Sequence, residues 1–265
     1  MPAKKNDLKS FFTPLGSISK TSVYILLIGE LIIALVAWQM SGEGLLPRPS
    51  KVLESLANVD SKYNFFENFL SSLGLVLEAM GLSILIAMAL SYLYLIPVLT
   101  PVTKFIVKCR YLTLSGLVFA FNLGSSSAHN LKINLLIFGI VPFFVTSLVS
   151  TIDSIDRAEF DLCKSLRMSN LQAWWEVVIL GTLDQVFEVM RQNFAISWMM
   201  ITMVEGLNMS EGGLGAIIIK ANKYIDLGTV FGVLAVIFMV GVCSDYLLGQ
   251  LRKWFFPYTR FNMRE

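Results

Sequence analysis

The sequence predicts an all-α, polytopic membrane protein with about six transmembrane helices and no soluble domain. Three observations predict it. First, 55% of the 265 residues are hydrophobic and only 15% are charged, with a mean hydropathy of +0.66. Soluble proteins sit near a quarter charged, and a chain of this length in water could not bury that much apolar surface. Second, the apolar residues gather into six runs. Third, Lys and Arg collect in alternate polar stretches, as the positive-inside bias requires.

The runs are taken in order. The first spans about Ser22 to Met40. The second spans about Phe69 to Ile96 and is closed by Pro97 and Pro101. The third, about Phe105 to Leu123, is the weakest, because Lys108 and Arg110 interrupt its start. The fourth is about Ile133 to Thr151, and the fifth, long and mixed, about Val177 to Leu207. The sixth is about Leu227 to Leu251. A crossing needs roughly twenty residues at about 1.5 Å each, so every run can span, the third only marginally.

Basic residues precede run one (Lys4, Lys5, Lys9, Lys20) and lie between runs two and three (Lys104, Lys108, Arg110). Others lie between runs four and five (Arg157, Lys164, Arg167) and after run six (Arg252, Lys253, Arg260, Arg264). Placing these groups inside gives a multi-pass protein of the plasma (inner) membrane with both termini cytoplasmic. The expected organisation is a cytoplasmic tail over 1–21, a transmembrane domain over 22–251 and a cytoplasmic tail over 252–265. The basic N-terminus lacks a small-residue cleavage site before its apolar run, which reads as a retained span.

Several functions are excluded or disfavoured. A net charge of +2 does not suggest nucleic acid as a partner. Cys109, Cys163 and Cys243 form no CxxC pair, and the one histidine, His129, excludes a multi-histidine metal centre. No metal or cofactor is expected. There is no GxxxxGK[ST] phosphate loop, so the chain has no usual means of binding ATP. It is not expected to be an enzyme, and no catalytic residue is assigned.

One charged stretch sits between two apolar runs on the predicted inner side: "AEFDLCKSLRMSNLQAWWEVVIL", from Ala158. It reads as two short helices in a segment over 156–175. Asp156 and Glu159 have capping-box spacing for the first, and Ser169 and Gln172 for the second. Leu162, Cys163 and Leu166 form an apolar stripe. The turn falls at Arg167-Met168, and the second helix passes through Trp174 and Trp175 into the fifth span. Such a bulge serves either as a docking surface or as a connector lying on lipid headgroups, with the tryptophans as interfacial anchors.

This stretch resembles the cytoplasmic signature of the membrane subunits of binding-protein-dependent ABC importers, most closely the nitrate, taurine and alkanesulfonate branch. The family reads Glu-Ala-Ala, three residues, Gly, nine residues, then Ile-x-Leu-Pro. Here Asp161-Leu162-Cys163 is followed by Lys164-Ser165-Leu166, Arg167 and, after nine residues, Val177-Val178-Ile179-Leu180. Arg167 replaces the glycine and Leu180 the proline. "LLPRPSKVLESL", Leu45 to Leu56, is similar to the family's Leu-Pro-x-Pro segment. "MRQNFAISWMMITMVEGL" carries its Arg, Trp and Glu landmarks at Arg191, Trp198 and Glu205, and Gly213 and Gly215 sit in its Gly-Leu-Gly turn.

The resemblance covers roughly Leu45 to Trp254 and implies a type I ABC importer permease fold. It implies transport of a small solute of the nitrate, sulfonate or taurine-like class by alternating access. The implied partners are an ABC ATPase subunit that binds the ATP, a periplasmic or lipid-anchored solute-binding protein, and a second permease copy, identical or homologous. It places ATPase docking on Asp161, Leu162, Cys163, Ser165, Leu166, Arg167, Met168, Ser169 and Leu171. Because a glycine in that turn commonly takes the left-handed conformation, arginine there suggests a turn shifted by one residue. Arg167 would then stay right-handed, and Met168-Ser169 would make the bend.

Other polar residues have competing readings. Glu30 and Glu78 fall inside spans, where a charge is costly; an ion pathway or a polar packing contact would account for each. Asp184, Glu188 and Arg191 share a helix face and read as a polar face at the cytoplasmic mouth. "LGSSSAHN" puts serines beside His129, but neighbouring loop residues rarely present a nucleophile to its base. Gly212, Gly213 and Gly215 form a re-entrant turn or a flexible loop. The alternatives to an importer are an ion-coupled secondary transporter or a divergent membrane scaffold without transport.

Overall fold

The computed structural model describes residues 20–40 and 47–257, and among them every regular element is a helix. The longer ones are α1 (Lys20–Met40), α3 (Phe65–Leu93), α6 (Ala128–Asp153), α9 (Gly181–Leu207) and α11 (Leu227–Phe255). Between them lie α2 (Pro49–Tyr63), α4 (Thr100–Lys108), α5 (Leu114–Gly124), α7 (Arg157–Ser165), α8 (Asn170–Ala173) and α10 (Leu214–Lys223). Of the expected tails, residues 1–19 and 258–265 lie outside the described residues. The last helix carries Arg252 and Lys253 in its final turn, past the expected boundary at 251.

Local chemistry sets the ends. Pro49 stands in the first turn of α2, where its missing N–H costs nothing. Asn64 closes that helix in the left-handed conformation (φ 49°), which asparagine tolerates better than most residues. Ser127 Oγ accepts from Asn130 N at the start of α6, and Asp226 accepts from Thr229 N at the start of α11.

Four helices are long and apolar enough to cross a membrane: α1 from Thr21, α3, α6 and α11. The expected third span is not a straight crossing. Thr100–Tyr111 and Leu114–Gly124 meet at 116°, and count as a fifth span only if taken together. Lys108 and Arg110 end the first piece, and Leu112 and Thr113 are extended between the two. The expected fifth span, α9, has 27 residues but is too polar to be among these helices. Its Asp184, Glu188, Arg191 and Glu205 all find partners inside the protein. Six crossings are thus four or five by length and composition.

The core forms where α3, α6 and α9 meet, on Val76, Ala79, Leu136, Ile140, Phe144, Ile201 and Val204. On α3 the buried Ser72, Ala79, Ser83, Ala87 and Ser91 are small. Small side chains let helices approach closely in a membrane, where dispersion and not water exclusion drives packing. By contrast α1 leaves most of its apolar surface exposed. Its attachments include a bond from Trp38 Nε1 to Pro47 O (3.0 Å) and a ring contact with Phe231.

Beyond α9 the chain doubles back. Gly215 is pressed against the Thr202 carbonyl and Gly206 against Ile219. Both contacts advance in the same direction, so α10 runs parallel to the last turns of α9. The loop 208–213 therefore turns the chain back, so that α10 packs beside the end of α9.

Candidate functional site

The segment between α6 and α9 forms a hook at one end of the bundle. Asp156 caps α7 by accepting from Ala158 N (3.1 Å); Glu159 does not complete the capping box. Ser169 and Gln172 form both halves of theirs. The chain then continues through a π-helical stretch, Trp174–Leu180, directly into α9. Trp174 Nε1 donates to Tyr92 O (3.3 Å), which ties the hook to the end of α3.

The turn corrects one expectation. Arg167 is left-handed, with φ 57°. Met168 N bonds Cys163 O and Arg167 N bonds Lys164 O, both at 3.0 Å, the pairing of a Schellman cap. The shifted turn does not form, because this cap satisfies two carbonyls at the end of α7. The strain at Arg167 is worth about 1 kcal/mol. Arg167→Gly is therefore expected to stabilise the hook by about that amount. Hydrogen exchange of the α7 amides measures it, and faster exchange in the variant would contradict it.

The hook has two faces. Cys163 is 6% exposed and turns inward with Phe160, so it is removed from the expected docking stripe. Leu162 (61%), Leu166 (66%) and Leu171 (73%) point outward, making an uncovered apolar ridge. Asp161 and Ser165 lie along it; Lys164 Nζ bonds Asp161 Oδ1 (2.9 Å) and holds that carboxyl below its ordinary pKa. Met168 is half-buried and Ser169 exposed. Trp175 is also exposed.

The family landmarks fall in two other places. At the end away from the hook, Glu205 is buried at 1% exposure and accepts from Ser72 Oγ (2.6 Å) and Gly215 N (2.9 Å). Ser72 Oγ accepts from Leu214 N, and Asn68 Oδ1 from Gly213 N (2.6 Å). Gly213 has φ 106°, and a Cβ there would strike the Glu205 carboxylate. Lys132 is 2% exposed, and its Nζ donates to Gly212 O (3.2 Å). Glycines, glutamate and lysine thus build one buried clasp on the returning loop. Sequence reading misses Asn68, Ser72 and Lys132, because nothing in their local sequence marks them as partners of the glycine turn.

Nearer the hook, Arg191 bonds both oxygens of Asp245 (2.9 Å) and Glu188 Oε1 (2.6 Å). Arg252 bonds Glu188 Oε2 (2.7 Å) and pairs with Asp184 (3.6 Å). The network joins α9 to α11. Trp198 is packed in the core at 2% exposure and is not brought to either cluster. His129 meets Glu78 (3.1 Å) and Glu211 (4.0 Å) and not the neighbouring serines, so no serine–histidine pair forms. Among the described residues no cluster could hold a metal ion.

Comparison with known proteins bears out the resemblance. The chain is 25% identical over 253 residues to the taurine transport system permease protein of Escherichia coli (strain K12), covering 87% of this chain and 88% of that one. Its fold matches a crystal structure of an amino acid ABC transporter with histidines, with a TM-score of 0.63 and 15% identity, covering 75% of this chain and 97% of that one. No family model matches. The chain is a multi-pass membrane protein with an ABC importer permease fold.

Proposed function

We propose that this permease is the membrane-spanning subunit of an ATP-driven ABC importer for a small solute of the nitrate, sulfonate or taurine-like class. The observation that carries the reading is the uncovered ridge of Leu162, Leu166 and Leu171, carried on two capped helices and continuous with α9. The segment 156–175 is the place where a separate ATPase docks, and the positive-inside bias puts it, with both tails over 1–21 and 252–265, in the cytoplasm. The chain has no phosphate loop, so the energy must enter through a contact. Closure of two ATPase subunits would push on the hook and, through the unbroken helix, swing α9 in each of two permeases. The outer side then opens to a loaded solute-binding protein. Similarity to a taurine permease supports the solute class. Purifying the tagged chain and identifying its companions by mass spectrometry tests the assembly: an ABC ATPase should accompany it, and its absence would sink the reading.

Energy coupling gives a second test. Glu78 is satisfied by His129 in a surface pair, and Glu30 is exposed on α1. In an ATP-driven importer neither is the coupling group, so Glu30→Gln and Glu78→Gln are each expected to keep more than about half of the uptake. Abolished uptake with the ATPase still bound would point to an ion-coupled carrier, whose proton or ion ligand had been removed.

A further inference from the structure

The outward stripe of α9 changes character along its length. Gly181, Gln185, Gln192, Ala195, Met199, Met203 and Leu207 are its exposed residues, at spacings of four, seven, three, four, four and four, which keep one helix face. The half nearer the hook is polar and the far half is apolar. Beside the polar half lies a cavity of about 450 Å³ between α6, α9 and α11. Ser150 and Thr151 line it from α6, Gln185, Glu188 and Gln192 from α9, and Arg252 from α11.

Its chemistry is unusual for a membrane bundle. Gln192 lies eleven residues into α9, about 17 Å from the helix start. Polar groups at such depth are normally consumed by neighbours. Glu188 and Arg252 are paired, but the hydroxyls of Ser150 and Thr151 and the amides of Gln185 and Gln192 have no hydrogen-bond partner among the described residues. The cavity therefore offers four uncommitted polar groups, each able to donate. The adjoining ion network has three carboxylates (Asp184, Glu188, Asp245) against two guanidiniums (Arg191, Arg252), which leaves one negative charge in surplus. Of these groups only Glu188 and Arg252 line the cavity, one of each sign, so a simple anion would meet a carboxylate as well as a guanidinium. A molecule with an oxyanion at one end and an ammonium at the other finds both ends answered.

We propose that this cavity is a holding site for a compact zwitterion on the inner half of the translocation path. The oxyanion sits on Ser150, Thr151 and the two glutamines, and the ammonium faces the carboxylate-rich network. The volume is within the range of small-molecule sites and leaves room for water around so small a solute. This inference rests on the permease reading, and it separates aminosulfonates and amino acids from nitrate, bicarbonate and plain sulfonates.

The test uses the full chain in lipid nanodiscs, with two matched pairs of probes: taurine against ethanesulfonate, and β-alanine against propionate. Binding is read by saturation-transfer NMR and calorimetry. At least one zwitterion should bind, and its partner without the ammonium should bind about tenfold more weakly. Gln192→Leu and Thr151→Val should each weaken the zwitterion about tenfold, the loss expected when a hydrogen bond to a charged group goes. Thr151→Val preserves shape, so it keeps the test decisive should Gln192→Leu fold poorly. Equal binding of matched probes, binding of neither zwitterion, or unchanged binding in both variants overturns the site. Uptake by cells that also carry the ATPase and binding protein is followed alongside. Normal uptake without cavity binding leaves the permease reading standing and removes only the site; failure of the ATPase to co-purify removes the permease reading itself.

Discussion

Leu166→Asp is expected to leave the chain in the membrane at its normal level and to strip the ATPase from it on purification. Leu166 is two-thirds exposed, so the isolated chain loses no core contact. In a docked complex the same position would be covered, and the substitution would bury a carboxylate with no partner. That costs several kcal/mol, enough to weaken the complex by more than about a hundredfold. Leu162→Asp, one helical turn away on the same ridge, should act alike. Cys163→Ser should not, since Cys163 is buried at 6% exposure, off the outward ridge. Pull-down of the ATPase with the tagged permease, set against membrane abundance, reads the outcome. Full ATPase recovery with both aspartate variants would show that the ridge meets lipid and that the hook is a connector.

The hook was legible in the sequence because its ends are written in local chemistry. Ser169 and Gln172 are three apart, and they form the reciprocal bonds that their spacing forecasts. The position of the turn was legible too, but not its conformation. An arginine in a glycine position suggests that the backbone avoids the left-handed region. What outweighs that preference is the demand of two α7 carbonyls for the N–H groups of Arg167 and Met168, a requirement of geometry that no side-chain type reveals. Which face of α7 is outward was half legible. The stripe joined Cys163 to Leu162 and Leu166, though residues one apart point about 100° away from each other on a helix.

The spans show the same division. α3, α6 and α11 announce themselves by composition alone. α9 does not, because its polar residues are the ones that hold α11 and the returning loop. Long-range partners are invisible to a hydropathy window. Asn68 and Ser72 are separated from Gly213 and Leu214 by more than 140 residues, and nothing in either neighbourhood names the other.

The clasp of Glu205 and Lys132 carries the largest expected effect on stability. Glu205→Ala removes the acceptor for Ser72 Oγ and Gly215 N, while the buried ammonium of Lys132 keeps its pair with Glu211 (3.8 Å) and its bond to Gly212 O (3.2 Å). Each buried donor left without its acceptor costs about 1–3 kcal/mol, and Glu205→Ala strands two. Glu205→Gln keeps an oxygen acceptor but loses the charge, and is expected to cost less. Adding Lys132→Met to Glu205→Gln takes the donor from Gly212 O and the partner from Glu211, so the double variant should melt lower than Glu205→Gln alone. Thermal unfolding of the purified chain gives the order. The clasp lies at the opposite end from the hook, so the ATPase should still co-purify with Glu205→Gln while solute uptake falls. If Glu205→Ala melts like the parent, Glu205 does not hold the returning loop, and the close fit of Gly213 and Gly215 around it has another cause.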